Sequence, residues 1–152
     1  MKTLLLTLLL SQIAFAGQKL GDCNATVNYV YDGDTIYVSS IACYLNGKKT
    51  IERNVKTGIR LLGIDTPEMK SRVYCEKAKA EQARSFVRGM IKPNTTIYIV
   101  NAQDDKFGGR IDGSIIIDGK DLAEELIEMR FGYRYYGGKK EVRNWCINSN
   151  SP

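Results

Sequence analysis

A short polar turn between two β-rich runs restricts the fold more than any other feature of this chain. Residues 32–35 read Asp-Gly-Asp-Thr, and an Asp-Gly pair is typical of tight hairpin turns. Alternating residues rich in Val and Tyr predict strands on both sides, over 24–31 and 35–42. Cys23 and Cys43 lie almost symmetrically about the turn, so a hairpin would place them opposite each other.

Residues 1–16 have the pattern of a secretory signal peptide. Lys2 precedes an apolar stretch that is too short to cross a bilayer, and residues 14–16 read Ala-Phe-Ala, a small-residue cleavage site. A buried N-terminal helix is the alternative interpretation. We therefore expect a mature domain over residues 17–152, secreted or periplasmic, with no membrane anchor after cleavage.

The four cysteines favour disulfides over metal or redox chemistry. Their number is even, the chain is expected to be exported, and the sequence contains no Cys-x-x-Cys motif. Four cysteines allow three pairings. If the first hairpin pairs Cys23 with Cys43, then Cys75 pairs with Cys146 by elimination.

The absence of histidine excludes several kinds of active site. No histidine can act as a base, as a metal ligand or as part of a catalytic triad, so any catalysis depends on carboxylates, lysine, arginine, tyrosine or hydroxyl groups. The net charge is +5, to which Lys2 contributes one. A basic surface suits a polyanionic partner, with nucleic acid first among them.

The rest of the pattern predicts further strands and two or three helices. Asn46-Gly47 predicts a tight turn before a strand that ends in the apolar segment 59–64. Two more strands are predicted over 95–101 and 114–118. A helix is predicted over 75–91, a second one after the Asp121 capping box, and a short third one over 139–147.

Five strands with helices late in the order fit an α+β fold, a five-stranded OB-fold β-barrel with about three helices. A split α+β sandwich is the alternative architecture.

Three polar segments contain the candidate chemistry. They are Asp-Gly-Asp-Thr at 32–35, Arg-Leu-Leu-Gly-Ile-Asp-Thr-Pro-Glu at 60–68 and Asp-Lys-Phe-Gly-Gly-Arg at 105–110. Taken singly, they can be a hairpin turn, a strand end and a solvated loop. Taken together, the three segments indicate a functional site, because Arg60 lies in an apolar strand, where a charge is costly unless an anion pairs with it.

The carboxylates of these segments suit a hard cation. Asp34 lies in the turn and Asp65 at a strand end, and two carboxylates brought together there would offer the oxygen ligands that such cations prefer. Glu68 follows the rigid Pro67 and is placed to act as a base or to orient a water. Arginine suits an anionic phosphate because its planar fork can bind two oxygens at once.

In order and spacing, the three segments resemble the staphylococcal nuclease (thermonuclease) family, over about residues 26–140. The third segment has one more glycine than the family's best-known Lys-Tyr-Gly-Arg, and Phe107 lacks the tyrosine hydroxyl. The resemblance implies a calcium-dependent nuclease that hydrolyses DNA and RNA with little sequence specificity. We also expect the chain to act as a monomer.

The resemblance also implies a role for particular residues. The calcium ligands would be Asp34, Asp65 and the main-chain carbonyl of Thr66. Glu68 would be the general base or the water-positioning group. The phosphate and nucleotide contacts would come from Arg60 and Arg110 at the scissile phosphate, Lys106 at a neighbouring phosphate and Tyr136 at the nucleotide.

Two other functions remain open from the sequence. A non-catalytic OB-fold protein could bind single-stranded nucleic acid or an oligosaccharide, but it has no need for Asp34, Asp65 and Glu68 beside two arginines. An envelope interaction protein stapled by disulfides would explain the cysteines but not Arg60 in an apolar strand.

Overall fold

The computed structural model describes residues 17–105 and 108–147. The predicted signal peptide, residues 1–16, and the predicted phosphate ligand Lys106 lie outside the described residues. The elements in chain order are β1 (Lys19–Val30), β2 (Thr35–Leu45), β3 (Lys48–Arg53), β4 (Thr57–Leu61), β5 (Ile64–Asp65), α1 (Tyr74–Met90), β6 (Thr96–Asp104), β7 (Arg110–Ile117), β8 (Lys120–Asp121), α2 (Leu122–Glu128) and β9 (Tyr133–Arg134).

The long hairpin around residues 32–35 forms the first two strands of the barrel. β1 and β2 pair antiparallel, and Cys23 lies opposite Cys43 in the register. A disulfide joins these two residues, with their Cα atoms 4.0 Å apart. Both cysteines are buried, so the cross-link lies within the packed core.

Five strands close the barrel in the order β1, β2, β4, β7, β6 and back to β1. β4 and β7 are parallel, whereas the other barrel neighbours are antiparallel. The predicted OB-fold class is confirmed, and the split sandwich is ruled out. The single strand predicted after Asn46-Gly47 is divided in two, because β3 and β4 pair with different parts of β2.

Strand alternation separates the core from the outer surface of the barrel. Ile59 and Leu61 of β4 are buried in the core, and Arg60 between them faces outward. On β7, Ile111 is buried, and Arg110 faces outward beside it. The apolar strand therefore accommodates Arg60 without placing its charge in the core.

The two helices pack on the barrel through small or apolar faces. α1 buries Ala80, Ala83 and Val87 at helical spacing. α2 begins at the predicted cap, where the Asp121 carboxylate accepts a hydrogen bond from the Ala123 amide. Within the described part of the chain, neither helix is long and apolar enough to cross a bilayer.

The short third helix predicted over 139–147 is wrong. The C-terminal segment (residues 133–147) begins with β9, which pairs with β5, and then continues without a helix. Its side chains are directed to separate partners rather than along one helical face. Trp145 packs against Tyr133, with ring centroids 5.7 Å apart, and Cys146 forms a disulfide with Cys75 at the start of α1.

Candidate active site

A cleft of about 740 Å³ opens on the outer surface of the barrel, where β4 and β7 lie side by side. Arg60 of β4 and Arg110 of β7 both line it. In the register, Gly58 pairs with Arg110 and Arg60 pairs with Asp112, so the two arginines occupy adjacent rows of neighbouring strands. Parallel pairing thus brings together two cations that are 50 residues apart in the sequence.

The turn after β1 supplies the first carboxylate of the site. Asp34 is buried, and its Oδ1 accepts a hydrogen bond from the Thr35 hydroxyl at 3.0 Å. Its Oδ2 accepts one from the Thr66 amide at 3.3 Å. These contacts fix the carboxylate against the segment that follows β5.

Close packing of Gly33 explains how the turn approaches that segment. A Cβ atom at this position would lie 3.0 Å from the Thr66 Cγ2 atom and 3.0 Å from the Ala83 Cβ atom of α1. Glycine is therefore required by the close approach of the backbone rather than only by the turn. Because Gly33 and Ala83 are both small, α1 can pack directly against the turn.

Arg60 joins the two buried aspartates. Its Nη2 atom lies 3.4 Å from Asp65 Oδ1 and 3.8 Å from Asp34 Oδ2. Burial opposes the guanidinium charge, but nearby carboxylates outweigh it and raise the pKa of Arg60; they are Asp34, Asp65, Asp112 and Glu68. The half-buried guanidinium of Arg60 therefore balances the negative charge of the two aspartates.

The other aspartate of the turn, Asp32, has a raised pKa. Burial, followed by the charge of Asp34, raises the pKa of Asp32 to about 7. The Asp32 Oδ1 atom accepts a hydrogen bond from the Asp34 amide at 3.2 Å. Asp32 is therefore harder to ionise than an exposed aspartate, and it shapes the turn through its hydrogen bond.

Two side chains of the C-terminal segment contact Asp65. The Tyr133 hydroxyl donates to Asp65 Oδ2 at 2.8 Å, and the Lys140 Nζ atom lies 2.6 Å from Asp65 Oδ1. Burial and this hydrogen bond raise the pKa of Tyr133 to about 12, so the hydroxyl remains a donor. Sequence analysis did not identify these two contacts with Asp65, and the basic, aromatic composition of residues 133–140 is the only signal of them.

Glu68 lies at the exposed edge of the same group. Its side chain is 62 % exposed, and its Oε1 atom is 3.5 Å from Lys140 Nζ. The Glu68 amide donates to Glu76 Oε1 at 3.3 Å, and Glu76 also accepts a hydrogen bond from the Ser71 hydroxyl at 2.6 Å. The loop is thus held from α1 while the Glu68 carboxylate remains open to solvent.

Arg110 has a carboxylate partner of its own. Its Nε and Nη2 atoms donate to Asp105 Oδ2 at 3.1 and 2.9 Å. Asp105 is buried, whereas the Arg110 side chain is 36 % exposed. The pair orients the guanidinium in the cleft, and sequence analysis did not identify this role of Asp105, five residues before Arg110.

Tyr136 stands at the mouth of the cleft. Its side chain is 81 % exposed, and its ring covers Gly63. A Cβ atom on Gly63 would lie 3.2 Å from Tyr136 Cε1, and the backbone there has a φ of 77°. An exposed ring at this place is available to a planar ligand that enters the cleft.

Asp34 and Asp65 are the residues that could hold a metal ion. Their carboxylate oxygens converge on one side chain, Arg60, and two oxygen donors of this kind suit a hard divalent cation. Within residues 17–105 and 108–147, no group of three or more His, Cys, Asp and Glu forms a metal site. The protein would therefore supply few ligands, with the main-chain carbonyl of Thr66 beside them.

The arrangement can bind and polarise an anion such as a phosphate group. It combines two arginines in one cleft, two buried carboxylates and an exposed glutamate. In comparisons with known proteins, the family model described as "Staphylococcal nuclease homologue" matches residues 58–144. A comparison with curated proteins found no match.

Proposed function

Because the chain belongs to the staphylococcal nuclease homologue family, we propose that it is a calcium-dependent nuclease. Its substrates would be phosphodiester bonds in DNA and RNA, cleaved with little sequence specificity. The observation that carries the proposal is the position of Arg60, which contacts Asp34 and Asp65 and lines the cleft that Arg110 also lines.

Export is part of the proposal. The two disulfides are compatible with a secreted or periplasmic protein, where an oxidising environment preserves them. Action as a monomer is also part of the proposal.

We assign the calcium ligands to Asp34, Asp65 and the Thr66 carbonyl. A bound calcium ion would neutralise charge on the phosphate and so lower the barrier to attack by water. The buried carboxylates favour such an ion, and the contacts of Asp34 with Thr35 and Thr66 hold one of them in place before it binds.

Glu68 is assigned as the base that takes a proton from the attacking water or orients it. Its solvent exposure supports this role, because a water can reach the carboxylate directly. Its neighbour Lys140 would have to remain close without neutralising the carboxylate fully, and a separation of 3.5 Å is consistent with that.

Arg60 and Arg110 are assigned to the charge that develops on the phosphate in the transition state. Asp105 engages Nε and Nη2 of Arg110, so Nη1 is the group proposed to meet the phosphate. Lys106 is proposed to hold a neighbouring phosphate, and the exposed ring of Tyr136 is proposed to stack on a nucleotide base.

Digestion of plasmid DNA and of RNA tests the proposal. We expect calcium to support cleavage better than magnesium, which demands a tighter octahedral shell, and a chelator to abolish it. Glu68→Gln should reduce turnover strongly while leaving the melting temperature unchanged. Glu52→Gln is the matched control, because Glu52 pairs with Lys49 on β3.

Undiminished cleavage after exhaustive chelation would contradict the calcium assignment. Binding of nucleic acid with no cleavage under any of these conditions would instead favour the alternative, a non-catalytic OB-fold nucleic-acid-binding protein.

A further inference from the structure

A row of outward side chains leads away from Arg110 across the barrel. The strand register pairs Arg110 with Gly58, Gly58 with Tyr37, and Tyr37 with Tyr29. Residues paired in this way lie on the same face of a sheet, with neighbouring strands about 4.8 Å apart. Tyr37 is thus two strands, or about 10 Å, from the Arg110 backbone.

The tyrosines of this row form a continuous aromatic surface. The rings of Tyr29 and Tyr37 are stacked, with centroids 4.9 Å apart and an interplanar angle of 19°. Tyr31 packs edge-on against Tyr37, with centroids 6.2 Å apart. Tyr29, at the outer end of the row, is 36 % exposed. We call Tyr29, Tyr31, Tyr37 and Lys56 together the tyrosine face.

Gly58 joins the tyrosine face to the cleft. A Cβ atom at Gly58 would lie 3.3 Å from Arg110 Cγ and 3.5 Å from Tyr37 Cε1. No side chain stands between the arginine stem and the tyrosine ring, so the two surfaces are contiguous. A strand bound at Arg110 could therefore continue onto the aromatic rings.

Lys56 supplies a positive charge at the same place. Its Nζ atom lies 5.4 Å from the centroid of the Tyr37 ring. Lys56 is exposed, and among the residues that the structure describes no carboxylate pairs with it. A cation above an aromatic surface suits a ligand that has both planar bases and phosphates.

Cross-strand aromatic pairs also stabilise sheets, which is the structural role of Tyr29 and Tyr37. That role does not account for an unpaired lysine on the rings or for a direct connection to Arg110. Single-stranded nucleic acid accounts for all three features, because its bases stack without regard to sequence while a lysine contacts the backbone.

We propose that the tyrosine face is a binding site for single-stranded nucleic acid beside the cleaved phosphate. A base stacks on the outer face of Tyr29, and Lys56 contacts a backbone phosphate. The identity of the strand as substrate rests on the proposed function, but binding to the tyrosine face does not require cleavage.

The test is binding of a fluorescent single-stranded oligonucleotide, measured by anisotropy in the presence of a chelator so that calcium-dependent cleavage does not occur. Tyr29→Leu keeps apolar cover on the sheet but removes the stacking ring, and it should raise Kd roughly 5- to 100-fold. Tyr29→Phe keeps the ring and should bind as the unmodified protein does. Lys56→Ala should weaken binding and reduce its salt dependence.

Tyr44→Leu is the matched control, because Tyr44 is an exposed tyrosine near the far end of β2, the strand that also contains Tyr37. It should leave Kd unchanged. Equal Kd values for Tyr29→Leu, Lys56→Ala and the unmodified protein, with unchanged melting temperatures, would overturn the inference. Equal losses for Tyr29→Leu and Tyr44→Leu would overturn it as well.

The two proposals can fail separately. If the unmodified protein cleaves nucleic acid and Tyr29→Leu binds normally, the tyrosine face is wrong and the nuclease assignment stands. If no variant cleaves but Tyr29→Leu binds more weakly than Tyr29→Phe, the binding site stands and the nuclease assignment fails.

Discussion

The barrel and the C-terminal segment both contribute to the candidate site, but they hold their side chains in different ways. Arg60 lies in β4 and is paired with β2 on one side and β7 on the other, and Asp34 lies in the buried turn that leads into β2. Tyr133 and Lys140 belong to a segment with only a two-residue strand, held near its end by the Cys75–Cys146 disulfide.

This difference suggests a division of work. Groups that must be placed accurately for a chemical step are best held by a rigid scaffold. Groups that adjust charge and orientation can be supplied by a tethered segment. The contacts of Tyr133 and Lys140 with Asp65 belong to the second kind.

The largest expected effect is at the barrel. Arg60→Ala should lower the single-turnover cleavage rate by about 10²–10³, because it removes a donor to the charge of the transition state. Lys140→Ala should lower it by less than about tenfold if the C-terminal segment only adjusts the site. Substrate affinity should change less than the rate for Arg60→Ala.

Arg88→Ala is the control for this comparison, since Arg88 lies on α1 and donates to the Val30 carbonyl. The melting temperature of each variant is measured to check that it is folded. Arg60→Lys retains the positive charge at this position but lacks the planar guanidinium, which can bind two oxygens at once. A loss of cleavage rate in Lys140→Ala as large as that in Arg60→Ala would contradict the view that the C-terminal segment only adjusts the site.

The second effect concerns the two disulfides. The loops that they close span 20 and 71 residues, for which chain entropy alone gives about 3 and 4 kcal/mol of stabilisation. We expect the opposite order, with the Cys23–Cys43 disulfide contributing more to stability than the Cys75–Cys146 disulfide. Without Cys75–Cys146, the C-terminal segment can separate while the barrel core stays folded, so the free energy of unfolding falls by less than about 3 kcal/mol.

Denaturant unfolding of the two double Cys→Ala variants measures this difference. Both replacements are of the same type, so each variant is the control for the other. A larger loss of stability in Cys75→Ala/Cys146→Ala would show that the C-terminal segment is a full part of the cooperative core.

The smallest effect is expected at Tyr133. Tyr133→Phe removes the hydroxyl that donates to Asp65 but keeps the ring that packs on Trp145. If Asp65 is a calcium ligand as proposed, loss of the hydroxyl that orients it should weaken calcium binding by about tenfold. Isothermal titration calorimetry with calcium measures it, and Tyr135→Phe, whose hydroxyl donates to the Gly138 carbonyl, is the control. An unchanged calcium affinity would mean that Tyr133 does not orient Asp65.

The sequence predicted the barrel side of the molecule better than the C-terminal segment. The hairpin at 32–35 and the helix α1 have local patterns, and Arg60 stood out because its apolar neighbours mark a strand. Such local patterns predict structure well because the alternation of a strand and the spacing of a helix decide which face is buried.

The features that the sequence did not predict depend on contacts between residues that are distant in the chain. The helix predicted over 139–147 was wrong because Lys140 and Trp145 have tertiary partners that override weak local periodicity. The contact of Tyr133 with Asp65 and the row from Arg110 to Tyr29 follow from the strand register, which no local pattern specifies. The roles assigned to the site residues stay predictions until they are measured.

The parallel pairing of β4 with β7 also affects when the protein can act. Arg60 and Arg110 meet only after β6 and β7 have been made and the barrel has closed, and such distant pairing is slow to form. A nascent or unfolded chain therefore carries both arginines but has no assembled site. If the chain degrades nucleic acid as proposed, this order of events would delay its activity until folding is complete and so protect the cell that makes it.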